Sequence, residues 1–126
     1  MKRILPLLLS LLLLTGCGGD VSDGSYQQIT QEAAKEMMDT QEVIILDVRE
    51  QDEYDSGHIP DAILLPVDTI DEETAAAVIP DKESTVLVYC RSGNRSKTAS
   101  STLAELGYTD IYEFGGISTW PYETES

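Results

Sequence analysis

Two short runs, Val43-Ile44-Ile45-Leu46 and Thr85-Val86-Leu87-Val88-Tyr89, constrain this chain more than any other feature. Each is continuous, rich in β-branched residues and free of polar alternation, so each reads as a strand buried on both faces. Helical segments lie between and around them. Thr30 is placed as an N-cap ahead of Gln31 and Glu32, and Ala33, Ala34, Met37 and Met38 form an apolar stripe to about Asp39. Asp71 to Val78 has an acidic first turn, three alanines and a stop at Ile79-Pro80, and Ser96 to Leu106 ends on Gly107 as C-terminal cap. Ala62 to Leu65 and Ile111 to Phe114 read as a third and a fourth strand. This alternation predicts one α/β domain with a mainly parallel central sheet flanked by helices, in which ligand sites lie at the carboxyl ends of strands. Asp47 and Cys90 both fall at such ends.

Cys90 closes its apolar run and opens the loop Cys90-Arg91-Ser92-Gly93-Asn94-Arg95-Ser96. A helix starting near Ser96 would aim backbone N–H groups and the positive helix end at the sulfur. Those groups favour thiolate, the form that attacks, so the Cys90 pKa is expected to be depressed. Arg91 and Arg95, with Lys97, concentrate positive charge beside this one cysteine in an otherwise acidic chain. The loop therefore reads as an anion-binding nucleophile site.

The first residues carry a targeting signal. Met1-Lys2-Arg3 is basic, Ile4 to Leu14 is apolar but too short to span a bilayer as a helix, and Leu14-Thr15-Gly16-Cys17 ends the segment with small residues. It resembles a bacterial lipoprotein signal with its lipobox. The resemblance implies cleavage before Cys17, lipidation of Cys17, and an extracytoplasmic protein anchored through lipid to a bacterial membrane. The chain then divides into a signal peptide (1–16), a flexible Gly-, Asp- and Ser-rich tether (17–28) and one domain (29–126). Removal of Lys2 and Arg3 leaves six basic residues against 23 acidic ones, a net charge near −17. Such a surface repels nucleic acid and anionic lipid, so membrane association would come from the lipid, and the charge favours a monomer. With Cys17 acylated, Cys90 has no intramolecular partner and remains a free thiol.

Four pieces in order identify the domain as similar to a single-domain rhodanese, a sulfurtransferase. They are Leu46-Asp47-Val48-Arg49-Glu50 followed by Glu53-Tyr54; Gly57-His58-Ile59-Pro60-Asp61-Ala62; the Cys90 to Ser96 loop; and Gly115-Gly116 followed by Trp120. The resemblance implies a rhodanese-like fold and a persulfide cycle without metal or organic cofactor. Cys90 would be the catalytic residue, and Arg91, Ser92, Gly93, Asn94, Arg95 and Ser96 would bind substrate. A small sulfur-containing anion such as thiosulfate is the donor, and a thiol, cyanide or protein thiol the acceptor. Asp47, Arg49 and His58 are supporting candidates. Asp47 reads as structural, or as orienting Arg49 or holding the loop by hydrogen bonds; Arg49 either joins the anion pocket or pairs with Glu50, Asp52 or Glu53; His58 reads as a turn anchor, with an acid or base role as the alternative. Trp120 is expected to pack the C-terminal segment on the core. Asp61 stands where the family usually has glycine, which leaves the geometry of that turn open.

Two other classes compete. A redox-sensing thiol, or a persulfide carrier or binding module fed by a partner, needs the same cysteine without thiosulfate turnover. Cysteine phosphatases and arsenate reductases are less well matched: phosphatases resemble Cys, five residues, then Arg, whereas four residues separate Cys90 from Arg95 and Tyr89 precedes the cysteine. His58 is the single histidine and cannot complete a metal cluster.

Overall fold

The computed structural model describes residues 25–126, so the signal segment, Cys17 and most of the tether lie outside the described residues. Five parallel strands form one sheet: β1 (Gln27–Gln28), β2 (Ile44–Asp47), β3 (Ile63–Leu64), β4 (Val86–Cys90) and β5 (Ile111–Gly116), in the order β1-β5-β4-β2-β3. Between them run α1 (Gln31–Thr40), α2 (Gln51–Ser56), α3 (Glu72–Val78) and α4 (Asn94–Glu105), with short 3-10 turns at Val67–Thr69 and Ile117–Thr119. The fold is α/β with a parallel sheet flanked by helices, as the alternating segments imply.

Both apolar runs occupy the centre because both of their faces are covered. Val86, Val88 and Cys90 of β4 join Leu46, Ala99, Leu103 and Ile111 in a core on the α3 and α4 side. Leu87 and Tyr89 join Ala34, Ile45, Phe114 and Trp120 in a second core on the α1 side. Successive strand residues face opposite ways, so a strand with no polar alternation is the pattern this position requires. Trp120 packs against Phe114 at a ring separation of 5.5 Å, holding the C-terminal segment on the second core.

Local caps set the helix ends. The Thr30 hydroxyl accepts the Ala33 N–H at 3.0 Å, and the Asp71 carboxylate accepts the Thr74 N–H at 2.8 Å. Gly107, at φ +103°, ends α4 in the left-handed region that glycine tolerates. α4 itself starts at Asn94, two residues before the sequence expectation, because Gly93 at φ +107° makes the turn into the helix. α2 was not expected at all. Its six residues carry no apolar stripe, and it is held instead by Glu53 reaching back to the Glu50 N–H at 2.9 Å and by the Tyr54 hydroxyl donating to Ala62 O at 2.6 Å.

Two further differences bear on the site. Gln27 and Gln28 pair with Tyr112 and Glu113, so the sheet extends into the last two residues of the stretch read as tether. β5 runs two residues past Phe114, and its register with β4 slips from Val88 opposite Glu113 to Cys90 opposite Gly116. One extra residue on β5 makes this a bulge, with Gly115 at φ +93°, and it sets Gly116 beneath the Cys90 loop.

Candidate active site

Cys90 is the last residue of β4 and is 1% exposed. The chain turns at once, and the Gly93 N–H donates to Cys90 Sγ at 3.0 Å while the Ser96 hydroxyl oxygen lies 3.4 Å away. Burial pushes the thiol pKa up, but hydrogen bonds from the Ser96 side chain and from the backbone of Ser96, Gly93 and Ser92 outweigh it and bring the thiol below its ordinary value. The backbone part of the cause is the one the sequence suggests, a strand end facing the first turn of a helix, while the larger contribution of the Ser96 hydroxyl is not.

The loop keeps this shape because of what lies under it. A Cβ on Gly116 would sit 2.0 Å from Arg91 O and 2.5 Å from Ser92 N, so only glycine lets the loop backbone rest on β5. The Ser118 N–H donates to Arg91 O at 3.1 Å and fixes that contact. A shallow cleft of about 320 Å³ borders the loop, lined in part by Gln31, Ser92, Gly93, Lys97, Glu113 and Thr119.

The arginines do not share one role. Arg91 is exposed and forms no ion pair with any described residue, so its guanidinium is available to an incoming anion. Arg95, expected in the anion pocket, is clamped by Glu53 through two hydrogen bonds of 2.8 and 3.0 Å. Those bonds hold the Glu53 carboxyl down at about pKa 2, and the Arg95 charge still acts on Cys90. Ser92 and Asn94 are exposed on the loop, whereas Gly93 and Ser96 are buried in it.

Arg49 stands apart from the cysteine. It is 5% exposed and donates through its backbone N–H and its guanidinium to the fully buried Asp47, with a further bond of 2.6 Å to Gly57 O. Arg49 thus pairs with Asp47, the orienting role offered for Asp47 in the sequence, and not with Glu50, Asp52 or Glu53. Asp47 also accepts the Tyr89 hydroxyl at 2.6 Å, and that hydroxyl accepts the Ile59 N–H. This network ties β2, β4 and the Gly57 to Ala62 turn together. His58 belongs to the same turn: its ring stacks on Tyr54 at 3.8 Å, Nδ1 lies 3.0 Å from Tyr54 O, and its backbone pairs with Glu125. It anchors a turn, as its sequence context suggests. Asp61 adopts φ +71°, so the left-handed backbone suited to glycine is present with aspartate in it.

Sequence reasoning passed over Glu113. This carboxyl is 2% exposed, and its oxygens accept the Ser96 hydroxyl, the Gly115 N–H at 3.0 Å and the Gln28 side-chain amide at 3.2 Å. The available signal was an acid in the middle of the strand run Ile111-Tyr112-Glu113-Phe114. Among the described residues no cluster of His, Cys, Asp and Glu is arranged to hold a metal ion.

The rhodanese-like domain family matches residues 30–122, which span every strand but β1 together with the cysteine loop. The chain belongs to this family. The chain is 38% identical over 96 residues to a thiosulfate sulfurtransferase, GlpE, of Coxiella burnetii, covering 75% of this chain and 87% of that one. It is 42% identical over 72 residues to the thiosulfate sulfurtransferase PspE of Escherichia coli, covering 57% and 68% respectively. Among solved structures, a rhodanese with anions from E. coli superposes with a TM-score of 0.63 at 33% identity, over 68% of this chain and 99% of that one. These two relatives are sulfurtransferases by name, whereas a tRNA uridine(34) hydroxylase of Erwinia tasmaniensis, 34% identical over 103 residues, is matched over 29% of its length; the loop of this chain occupies the strand end where its fold places ligand sites.

Proposed function

We propose that this member of the rhodanese-like family is a sulfurtransferase that loads a sulfane sulfur from thiosulfate, or a similar anionic donor, onto Cys90 and passes it to a thiophilic acceptor. The observation that carries the reading is the convergence of backbone N–H groups from Ser92, Gly93 and Ser96 on a single free thiol. The Cys90 thiolate attacks the outer sulfur of the donor. A bond forms between Sγ and that sulfur, the donor's own S–S bond breaks, and sulfite leaves with the electron pair. The loop N–H groups then hold the terminal sulfur of the persulfide, and exposed Arg91 draws the dianion in. A thiol, a protein thiol or cyanide attacks the terminal sulfur, and Cys90 departs as thiolate, which restores the starting state. Asp47, Arg49 and His58 shape the scaffold and do not touch sulfur in this cycle.

The acidic surface and the Leu14 to Cys17 motif support a second part of the proposal: the mature chain is lipidated on Cys17, held outside the cytoplasm, and monomeric. Radiolabelled palmitate incorporated into wild type and absent from Cys17→Ala tests the anchor. For the chemistry, steady-state transfer from thiosulfate to cyanide is followed as thiocyanate. Turnover by wild type and none by Cys90→Ser is expected. A Cys90 that reacts with peroxide or disulfides but turns over no donor would replace this reading by a redox module or a partner-fed carrier.

A further inference from the structure

Glu113 is a buried carboxyl group that the sulfur-transfer cycle leaves unused. It lies on β5 with the parity of Ile111, and therefore on the sheet face of Cys90 and α4. Ser96 stands between them. Its hydroxyl donates to Glu113 Oε2, and its oxygen lies 3.4 Å from Cys90 Sγ. A serine hydroxyl has one proton. While Glu113 holds that proton, Ser96 shows the sulfur only a lone pair, which suits S–H and not S⁻. The three groups form a chain in which each donor points the same way, from thiol to hydroxyl to carboxylate.

We propose that Glu113 is a positioning residue that restrains the acidity of Cys90 by holding the Ser96 hydroxyl proton away from the sulfur. The inference rests on Cys90 being the reactive nucleophile. Ionisation breaks only the S–H bond. Its proton goes to solvent, and the Ser96 hydroxyl turns from the carboxylate to the thiolate. Glu113 then keeps the Gly115 N–H and the Gln28 amide as donors. The backbone N–H groups of Gly93, Ser92 and Ser96 stabilise the thiolate without competition, whereas the hydroxyl serves it only in the orientation that abandons Glu113. The other charges around Cys90 are few. Arg95 of α4 favours the thiolate but is itself claimed by Glu53, with Glu50 nearby, and Arg91 and Lys97 extend into solvent.

The test is the pH dependence of iodoacetamide alkylation at Cys90 in the full chain, read from the Cys90 peptide by mass spectrometry, so that no sulfur donor is involved. A failure of the sulfurtransferase reading would leave this assay intact. Glu113→Gln sets a neutral amide oxygen, a weaker acceptor than a carboxylate, opposite the Ser96 hydroxyl and the Gly115 N–H and so loosens the hydroxyl proton for sulfur; the alkylation midpoint should fall by about one pH unit, a tenfold gain in thiolate below the midpoint. Glu113→Asp keeps the charge but is one methylene shorter, and it should move the midpoint the same way. In a Ser96→Ala background the Glu113 substitutions should have no effect. Thermal unfolding checks that each variant is folded. An unshifted Glu113→Gln overturns the proposal, as does an Asp variant that behaves like wild type while Gln shifts, since charge alone would then be acting. An undiminished Gln effect in Ser96→Ala overturns it too.

Discussion

Gly116→Ala adds one methyl group at a place with no room for it. The new Cβ would lie 2.0 Å from Arg91 O, 2.2 Å from Arg91 C and 2.5 Å from Ser92 N, and all three are backbone atoms. Ordinary non-bonded separation is about 3.5 Å, so the loop and β5 must part by roughly 1.5 Å. Neither side yields freely. Arg91 O is bonded to the Ser118 N–H, Gly116 O accepts the Gln31 amide at 2.8 Å, and Gly116 is in register with Cys90 itself. Overpacking of this kind costs about 2–3 kcal/mol, which lowers the melting temperature of a domain this size by roughly 10–15 °C. The functional loss should exceed the loss of stability. Ser92 and Gly93 move with Arg91, and a displacement of about 1 Å at reacting groups can cost roughly a hundredfold in rate. Gly115→Ala is the control: its Cβ meets only Gln31 Nε2 at 3.5 Å, although φ +93° strains any side chain there by about 1–2 kcal/mol. Melting temperature and Cys90 alkylation rate are measured at a temperature where all three proteins are folded. Both variants should melt lower, and only Gly116→Ala should lose reactivity at Cys90. A Gly116→Ala protein with wild-type alkylation rate, or equal losses in both variants, would refute the packing argument.

Three further outcomes follow from single contacts. Asp47→Asn leaves the buried Arg49 guanidinium without its counter-charge, and urea unfolding should show a loss of about 3–5 kcal/mol. Asp61→Gly relieves a non-glycine residue at φ +71°, and the midpoint of thermal unfolding should rise by a few degrees, equivalent to roughly 0.5–1 kcal/mol. Glu53 has a folded pKa of about 2 against 4.5 for the free side chain, so its bond to Arg95 stabilises the protein fully above pH 4.5 and loses that effect as pH falls through 2. The pair is partly exposed, so the effect is about 1 kcal/mol. The stability difference between wild type and Glu53→Gln should be constant near neutrality, shrink below pH 4.5 and disappear only below about pH 2.

The centre of this fold was legible because its strands are buried on both faces, which leaves an unmistakable apolar run at Val43 to Leu46 and again at Val86 to Tyr89. Thr30 and Gly107 were legible as caps because their roles need only neighbours in the chain, whereas Asp71, read as the first helical residue, is the N-cap of a helix that begins at Glu72. Features that depend on distant partners were not. α2 has no apolar stripe, and its identity depends on capping by its own acids and on Ala62 across a turn. The Gln27 strand exists only through β5, because two glutamines carry no strand pattern of their own. At the site, the cysteine, the N–H-rich loop and the double glycine all stood out as residue types. Which acid met Arg95 did not: none lies near it along the sequence, and tertiary packing brings Glu53 to it from 42 residues away, whereas Arg49 had several acids within reach and took Asp47. Glu113 was hidden for the same reason, since an acid in a strand reads as solvent-facing until its neighbours are known.

The central claim is that Cys90 carries the transferred sulfur. Intact mass of the protein after incubation with thiosulfate, for wild type and Cys90→Ser, tests it most directly, with cyanide added afterwards and thiocyanate counted. The account predicts a gain of one sulfur on wild type alone, removed by cyanide with one thiocyanate formed for each sulfur lost. No gain on wild type, or an equal gain on Cys90→Ser, would contradict it.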